Sequence, residues 1–379
     1  MVVDDAVRNR YSAASKEVEA ALCCPVDYDP RFLEVIPQEV LERDYGCGDP
    51  SKHLRAGETV LDLGSGGGKI CFIAAQVVGQ GGRVIGVDTN REMLALARGA
   101  RAEVSERLGF DNVRFLRGQI EDLGTNPDRV DVYLQNHPIH GEEDLSRFEA
   151  WRAADVVANP LVADGSVDVV VSNCVLNLVA EIDKPRLFAE IFRVLKRGGR
   201  AVISDIVSDE PVTEAMKGDA ELWSGCVSGA FEETAFLAAF EEAGFYGITL
   251  LKRDEKPWRT VEGIEFRSVT VEAFKGKQGE CWDHKEALVY KGPFSSVSDD
   301  DGHTYRRGER TAVCRKTYEI FRKAPYAAHF EGVEPRVAVA PDELREFPCT
   351  AGTLLRSPVE TKGEGYDATL AACEDNSCC

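Results

Sequence analysis

No stretch of this chain is apolar for long enough to span a bilayer, and its first residues, MVVDDAVRNRY, lack a signal-peptide pattern. A cytoplasmic protein with no membrane partner is the expectation. Basic residues are scarce: 45 Lys and Arg stand against 65 Asp and Glu, a net charge of −20. Such a field repels phosphate backbones and anionic lipid, so no nucleic acid is expected as a partner. No CxxC…CxxC spacing occurs, which argues against a structural zinc ribbon. Histidines number only 6, and neither they nor any carboxylate stand out as a general base. His137 and His140 read as a surface pair rather than metal ligands. No internal repeat or low-complexity tract is evident.

What is plentiful is cysteine: 12 in 379 residues, a length sufficient for two or three domains with a substantial core. In a reducing compartment these are free thiols, ligands or redox groups rather than a disulfide scaffold. Most are scattered, so only the fold can bring them together. Two pairs are vicinal: Cys23-Cys24, read as packing at a helix end, and Cys378-Cys379 at the end of the chain.

The organising stretch is TVLDLGSGGGKICF, Thr59–Phe72. Val60, Leu61 and Leu63 suit a buried parallel strand. Glycines 64, 66, 67 and 68 follow, and Ile70, Phe72, Ile73, Ala74 and Val77 then recur at helical spacing. A strand, glycine turn and helix bring bare backbone and a helix N-terminus to a cofactor. A second strand ends on Asp88, about 20 residues beyond the loop, where a carboxylate accepts from a ribose diol. Asp62, just before the glycines, suits a ligand carrying an ammonium group. In the turn Gly118–Asp122, Ile120 and Glu121 offer an apolar side chain and a polar edge to adenine. These features favour S-adenosylmethionine over a nicotinamide cofactor.

The expected fold class is α/β: a Rossmann-like doubly wound sheet with a helical N-terminal extension and a small α+β C-terminal domain. The extension covers 1–58 and the cofactor domain 59–251, with a helical insertion over about 124–163 along one rim of the sheet. The α+β domain runs over 252–335, and 336–379 reads as an extended or partly disordered tail. Glycines on both sides of Cys47 imply a tight, mobile loop that carries a thiol near the cofactor mouth. Strand 167–172 leads into Asn173 and Cys174, at the strand edge that faces the ligand crevice, where Asn173 can touch the cofactor. Cys226 follows among small residues. Thiolates suit soft, thiophilic centres. Trivalent arsenic bound by thiolates keeps a lone pair that can attack a methyl group without a general base. A nearby thiol pair closing to a disulfide returns the two electrons.

VLDLGSGGG, GVDTN and GQIEDL resemble the ordered cofactor motifs of class I S-adenosylmethionine methyltransferases over about Val60–Leu250. With YGCGDP (Tyr45–Pro50), GKICF (Gly68–Phe72), SNCVLNL (Ser172–Leu178) and LWSGCVSGAF (Leu222–Phe231), the chain resembles arsenite S-adenosylmethionine methyltransferases. YKGPF, DDDGHTYRRGER and AVCRKTYEIF extend the resemblance over Lys285–Pro335. It implies that Cys174 and Cys226 bind As(III), while Cys47 and Cys71 form the disulfide of turnover. It also implies that Asp62, Gly64, Gly66, Gly68, Asp88, Ile120, Glu121 and Asn173 serve the cofactor. Arsenite or its thiol conjugates are then the substrate, and thioredoxin or glutathione the reductant. The insertion at 124–163 departs from the family pattern, and could narrow the substrate mouth or change the acceptor. Cys378-Cys379 is either an arsenite-delivering tail or a frayed end. Cys71 is open to a plain packing role, and Cys281, Cys314 and Cys349, which carry no motif, are assigned to structure. Two other readings stay open: a methyltransferase for an organic thiol, selenium or another small acceptor, and a non-catalytic metalloid-binding protein.

Overall fold

The computed structural model describes residues 2–17, 19, 26–43, 45–363 and 366. The expectations for Cys23-Cys24 and Cys378-Cys379 lie outside them. The chain forms two compact units, 1–276 and 277–379.

The first unit is built on a nine-stranded sheet. Its strands are β1 (Thr59–Leu63), β2 (Arg83–Asp88), β3 (Val113–Arg117), β4 (Val167–Asn173), β5 (Leu195–Ser208), β6 (Phe231–Glu232), β7 (Tyr246–Arg253), β8 (Arg259–Val261) and β9 (Ile264–Phe274). The order is β3-β2-β1-β4-β5-β9-β7, with β6 beside β5 and β8 beside β9. Pairings from β3 to β5 are parallel, whereas β9 is antiparallel to both β5 and β7. Side-chain alternation splits the core. Val60, Val84, Val169 and Val171 meet the helices Lys69–Val78 and Arg91–Leu108 on one face. Leu61, Leu63, Val87 and Val170 meet Lys184–Val194 and Glu233–Glu242 on the other. There Phe188 crosses Phe240 edge-on at 4.9 Å, and both are buried. Each such ring contributes roughly 2 kcal/mol by burial. Because the chain moves outward from β1 in opposite directions, β1 and β4 flank the switch point where ligands bind in open α/β sheets.

Two boundaries differ from expectation. The strand-like run 266–274 belongs to the first unit's sheet, because its alternating apolar side chains complete the layer between β5 and β7. The change of unit therefore falls at Lys277 rather than near 252. Residues beyond 336 are not merely extended as far as they are described. Arg345–Glu346 pairs with Trp282–Asp283, and Pro358–Lys362 is a helix with a capping box from Ser357 and Glu360. Buried Arg356 bonds Asp283 and Glu360 at 2.6 and 2.9 Å, which fixes this segment to the second unit. That unit also holds a three-stranded antiparallel sheet (Arg310–Ala312, Ala287–Tyr290, Phe330–Val333), an antiparallel pair (Ser296–Ser298 with Thr304–Arg306) and the helix Arg315–Phe321. No helix among the described residues is long and apolar enough to cross a membrane.

Candidate active site

At the carboxyl ends of β1, β2 and β4 lies a cavity of about 430 Å³. Its floor is the glycine turn. Gly64 and Ser65 donate backbone N–H groups to the Val87 carbonyl at 2.8 and 3.0 Å, tying the turn to β2. Gly64 and Gly66 take left-handed backbone, with φ of 69° and 50°. A Cβ on Gly66 would meet nothing within 4 Å, so the backbone there is bare toward the cavity. Gly68 does a different job from the expected one. It is not a wall of the cavity; a Cβ there would lie 2.7 Å from Phe115, so the missing side chain lets helix and sheet approach.

Asp88 accepts from Gly66 N–H at 2.8 Å and Asn90 N–H at 2.7 Å. Burial pushes its carboxyl upward, and those amides offset part of the rise. Ile120 and half-buried Glu121 line the wall beyond it, and burial raises the Glu121 carboxyl too. Asp62 also reaches the cavity. It lies on the same face of β1 as Val60, and so meets the helix carrying Cys71, whose thiol donates to its Oδ2 at 3.2 Å. Cys71 has no exposed surface. Burial, then the Asp62 and Asp88 carboxylates, push its thiol well above the ordinary range.

The other three motif cysteines converge. Cys47 and Cys174 are joined by a disulfide, with Cα atoms 5.7 Å apart. The Cys47–Cys71 pairing implied by the resemblance is therefore not the one present. Asn173 explains the difference. Its Oδ1 accepts the Cys47 and Gly48 N–H groups, both at 3.0 Å, and its Nδ2 donates to Gly48 O at 2.8 Å and to Tyr28 at 3.2 Å. Ser268 donates to Cys47 O at 2.7 Å. The loop is thus pinned beside Cys174 rather than poised to swing, and Cys47 is only 2% exposed. The glycines around Cys47 serve close approach: a Cβ on Gly48 would lie 2.6 Å from Ser204. Asn173 borders the cavity, yet its amide is committed to the Cys47 loop rather than left for a cofactor.

Among the described residues, four non-glycines take left-handed backbone, and two of them are Cys174 and Cys226, each with φ of 61°. Such conformations cost on the order of 1–3 kcal/mol and persist only where their surroundings enforce them. Here the enforcement is mutual. Asn177 donates to Ile206 O at 2.6 Å and Cys226 O at 3.3 Å, Lys184 donates to Gly229 O at 2.6 Å, and Trp223 donates to Leu178 O at 3.3 Å. The SNCVLNL and LWSGCVSGAF segments therefore lock each other. The Cys226 thiol sits 3.5 Å from Cys174 O and 3.9 Å from the Tyr11 hydroxyl.

Two groups here escape sequence reasoning. Tyr11 comes from the N-terminal helix Val2–Ala14; burial, then Cys226, hold its phenol well above the usual value, so it stays a donor. Asp205 is fully buried on β5, with its carboxylate within 4.8 Å of both Cys47 and Cys174 sulfurs. Burial pushes it up to about 6, against the Ile206 and Leu176 amides and Lys184. Lys184 itself is lowered to about 8 by burial. The only sequence signal for Asp205 is an acidic residue within an apolar strand. The insertion folds as two helices, Pro127–Asn136 and Glu142–Ala158, stacked through Tyr133 and Trp151 at 4.1 Å, and none of its residues lines the cavity.

Comparison with known proteins gives the family. A methyltransferase-domain family model matches residues 54–150 and 146–244, and a domain of unknown function matches 277–366. An arsenite methyltransferase of Aquipseudomonas alcaligenes is 30% identical over 99% of this chain and 99% of its own length. The arsenite methyltransferase of Rattus norvegicus is 28% identical, over 80% of this chain and 76% of its own. The crystal structure of an arsenic(III) S-adenosylmethionine methyltransferase from Chlamydomonas reinhardtii superposes with a TM-score of 0.54 at 28% identity, covering 83% of this chain and 98% of that one. With cofactor cavity, paired cysteine loops and full-length similarity in agreement, this chain belongs to the arsenite methyltransferase family.

Proposed function

We propose that this protein methylates trivalent arsenic held by Cys174 and Cys226, with S-adenosylmethionine as methyl donor. The observation that carries the reading is the pair of left-handed cysteines, with Cys174 on the wall of the cavity and the Cys226 sulfur 3.5 Å from the Cys174 carbonyl. The cavity suits the donor: bare backbone at Gly66, carboxylates at Asp62 and Asp88, and the Ile120–Glu121 wall. When bound, S-adenosylmethionine supplies an electrophilic methyl group. Asp88 would hold the ribose diol, Asp62 the amino-acid end, and Ile120 with Glu121 the adenine.

Cys174 and Cys226 keep arsenic trivalent with its lone pair free, so methyl transfer asks no general base of the chain and rests on alignment. The Tyr11 hydroxyl, 3.9 Å from the Cys226 sulfur, is placed to donate to it once its proton has left. As the As–S174 bond forms and an As–O bond breaks, Asp205 passes the Cys174 proton to the departing hydroxyl, which leaves as water. Methylation raises arsenic to the pentavalent level, and two electrons must return. The Cys47 thiolate supplies them by attacking the arsenic-bound Cys174 sulfur: the S–S bond forms, the As–S174 bond breaks with its electron pair left on arsenic, which returns to the trivalent state, and glutathione or thioredoxin reopens the disulfide by exchange. In this reading Cys71 positions Asp62 rather than carrying electrons. A reducing cytoplasm suits this cycle.

The test is turnover of arsenite by the purified protein with S-adenosylmethionine and a thiol reductant, followed by arsenic speciation. Methylated arsenic is expected from the native chain and none from Cys226→Ser. Methylation of a small organic thiol with arsenite left untouched would assign the chain a different acceptor.

A further inference from the structure

Cys281, Cys314 and Cys349 are 33 and 35 residues apart in sequence, yet in the second unit their sulfurs all lie within 4.8 Å of one another. All three are free thiols. They arrive from separate places: just before the strand Trp282–Asp283, at the start of the helix Arg315–Phe321, and on the turn Cys349–Ala351. Each is fixed by its own contacts. Phe347 N–H bonds Cys281 O at 2.6 Å, and His303 Nε2 lies 3.2 Å from Cys349 O. Cys314 Sγ contacts the Thr317 hydroxyl at 3.3 Å. Cys314 is buried, while Cys281 and Cys349 keep partial exposure, so solvent reaches the cluster.

The donor set selects the ligand. Zinc in closed sites takes four ligands, and among the described residues no fourth donor joins these three. His303, which reaches the Cys349 carbonyl, spends Nδ1 on Asp299 at 3.1 Å and Nε2 on that carbonyl at 3.2 Å. Nor does a carboxylate take part, as a hard cation would require. Three soft donors with an open fourth side match a three-coordinate pyramidal centre whose lone pair occupies the gap.

We propose that the second unit carries an arsenite-binding site formed by Cys281, Cys314 and Cys349, separate from the thiols of the methylation site. This rests on the reading that the protein handles trivalent arsenic. Arsenous acid exchanges its three As–O bonds for three As–S bonds; the three thiol protons leave with the hydroxyls as three waters, and no atom changes oxidation state. A monomethylated arsenical has only two exchangeable bonds and leaves one thiol unused. The site therefore prefers unmethylated substrate to product.

The experiment uses the full chain, kept reduced with a phosphine, and sodium arsenite alone as probe. Arsenic per chain is measured after desalting, and its sulfur coordination by X-ray absorption. Cys314→Ser is expected to lose one equivalent of arsenic relative to the native chain while keeping its kcat for methylation at saturating arsenite. Cys226→Ser, expected to lose turnover, is also expected to retain the three-sulfur equivalent, so failure of the methylation reading and failure of this site give different results. Cys281→Ser and Cys349→Ser read the same loss if Cys314→Ser does not fold. Unchanged arsenic stoichiometry in any folded variant overturns the site. So does tight binding of zinc(II) alone by these thiols that arsenite cannot displace.

Discussion

Replacing Asn173 by alanine separates two roles for one side chain. Its neighbourhood on the sequence points to the cofactor; its hydrogen bonds point to the Cys47 loop. The substitution strips the partner from two buried N–H groups, while Gly48 O keeps the Tyr28 hydroxyl at 3.2 Å. At about 1–3 kcal/mol for each unmet buried group, with some relaxation toward the cavity, the cost of holding the loop closed is about 2–3 kcal/mol. The disulfide tethers the loop itself, so the penalty falls on the reduced form's alignment and makes the bridge harder to close. That is roughly a 30- to 150-fold drop in effective thiol concentration, or about 45–65 mV in a two-electron couple. The assay equilibrates native and Asn173→Ala protein in glutathione redox buffers, traps thiols by alkylation and weighs the Cys47–Cys174 peptides. The variant is expected to need a more oxidising buffer for half-closure, with S-adenosylmethionine affinity by calorimetry unchanged. An unmoved redox midpoint with markedly weaker S-adenosylmethionine binding would refute the reasoning and return Asn173 to the cofactor.

Further expectations follow from the same geometry. Asp205, raised to about 6, binds its proton more tightly folded than unfolded. Its protonation thus stabilises the fold fully below the unfolded value near 3.9, and that contribution, about 3 kcal/mol, is lost as pH rises through about 6. The rate of arsenite methylation should accordingly show an acidic limb near pH 6 that Asp205→Asn abolishes, read from kcat/KM against pH. Asp88→Ala frees two backbone N–H groups and removes the carboxylate proposed to hold the ribose; calorimetry should find S-adenosylmethionine bound about tenfold to a hundredfold more weakly. Tyr11→Phe removes the donor near Cys226 and should raise that thiol's pKa, measured as slower alkylation at neutral pH with the disulfide midpoint unmoved. Trp151→Ala, on the inserted helices, should leave the KM for arsenite unchanged, since nothing from that insertion borders the cavity.

Much of this protein is local and therefore readable along the chain. The apolar run Val60–Leu63, the glycine turn and the strand ending on Asp88 are specified through nearest neighbours and period-two alternation, and strand and turn form there. Cys174 and Cys226 announce themselves by motif. What spacing cannot state is which distant groups share a volume. Cys47 meets Cys174 across 127 residues because Asn173 and Ser268 grip the loop, and Cys71 is turned to Asp62 by the face of the helix it occupies. Asp205 acquires its unusual acidity from burial between strands, a property of desolvation and not of sequence neighbours. Cys281, Cys314 and Cys349, unremarkable one by one, become a three-sulfur cluster only when the second unit folds. Local covalent order determined the cofactor site; the packing of remote segments decided the thiol chemistry.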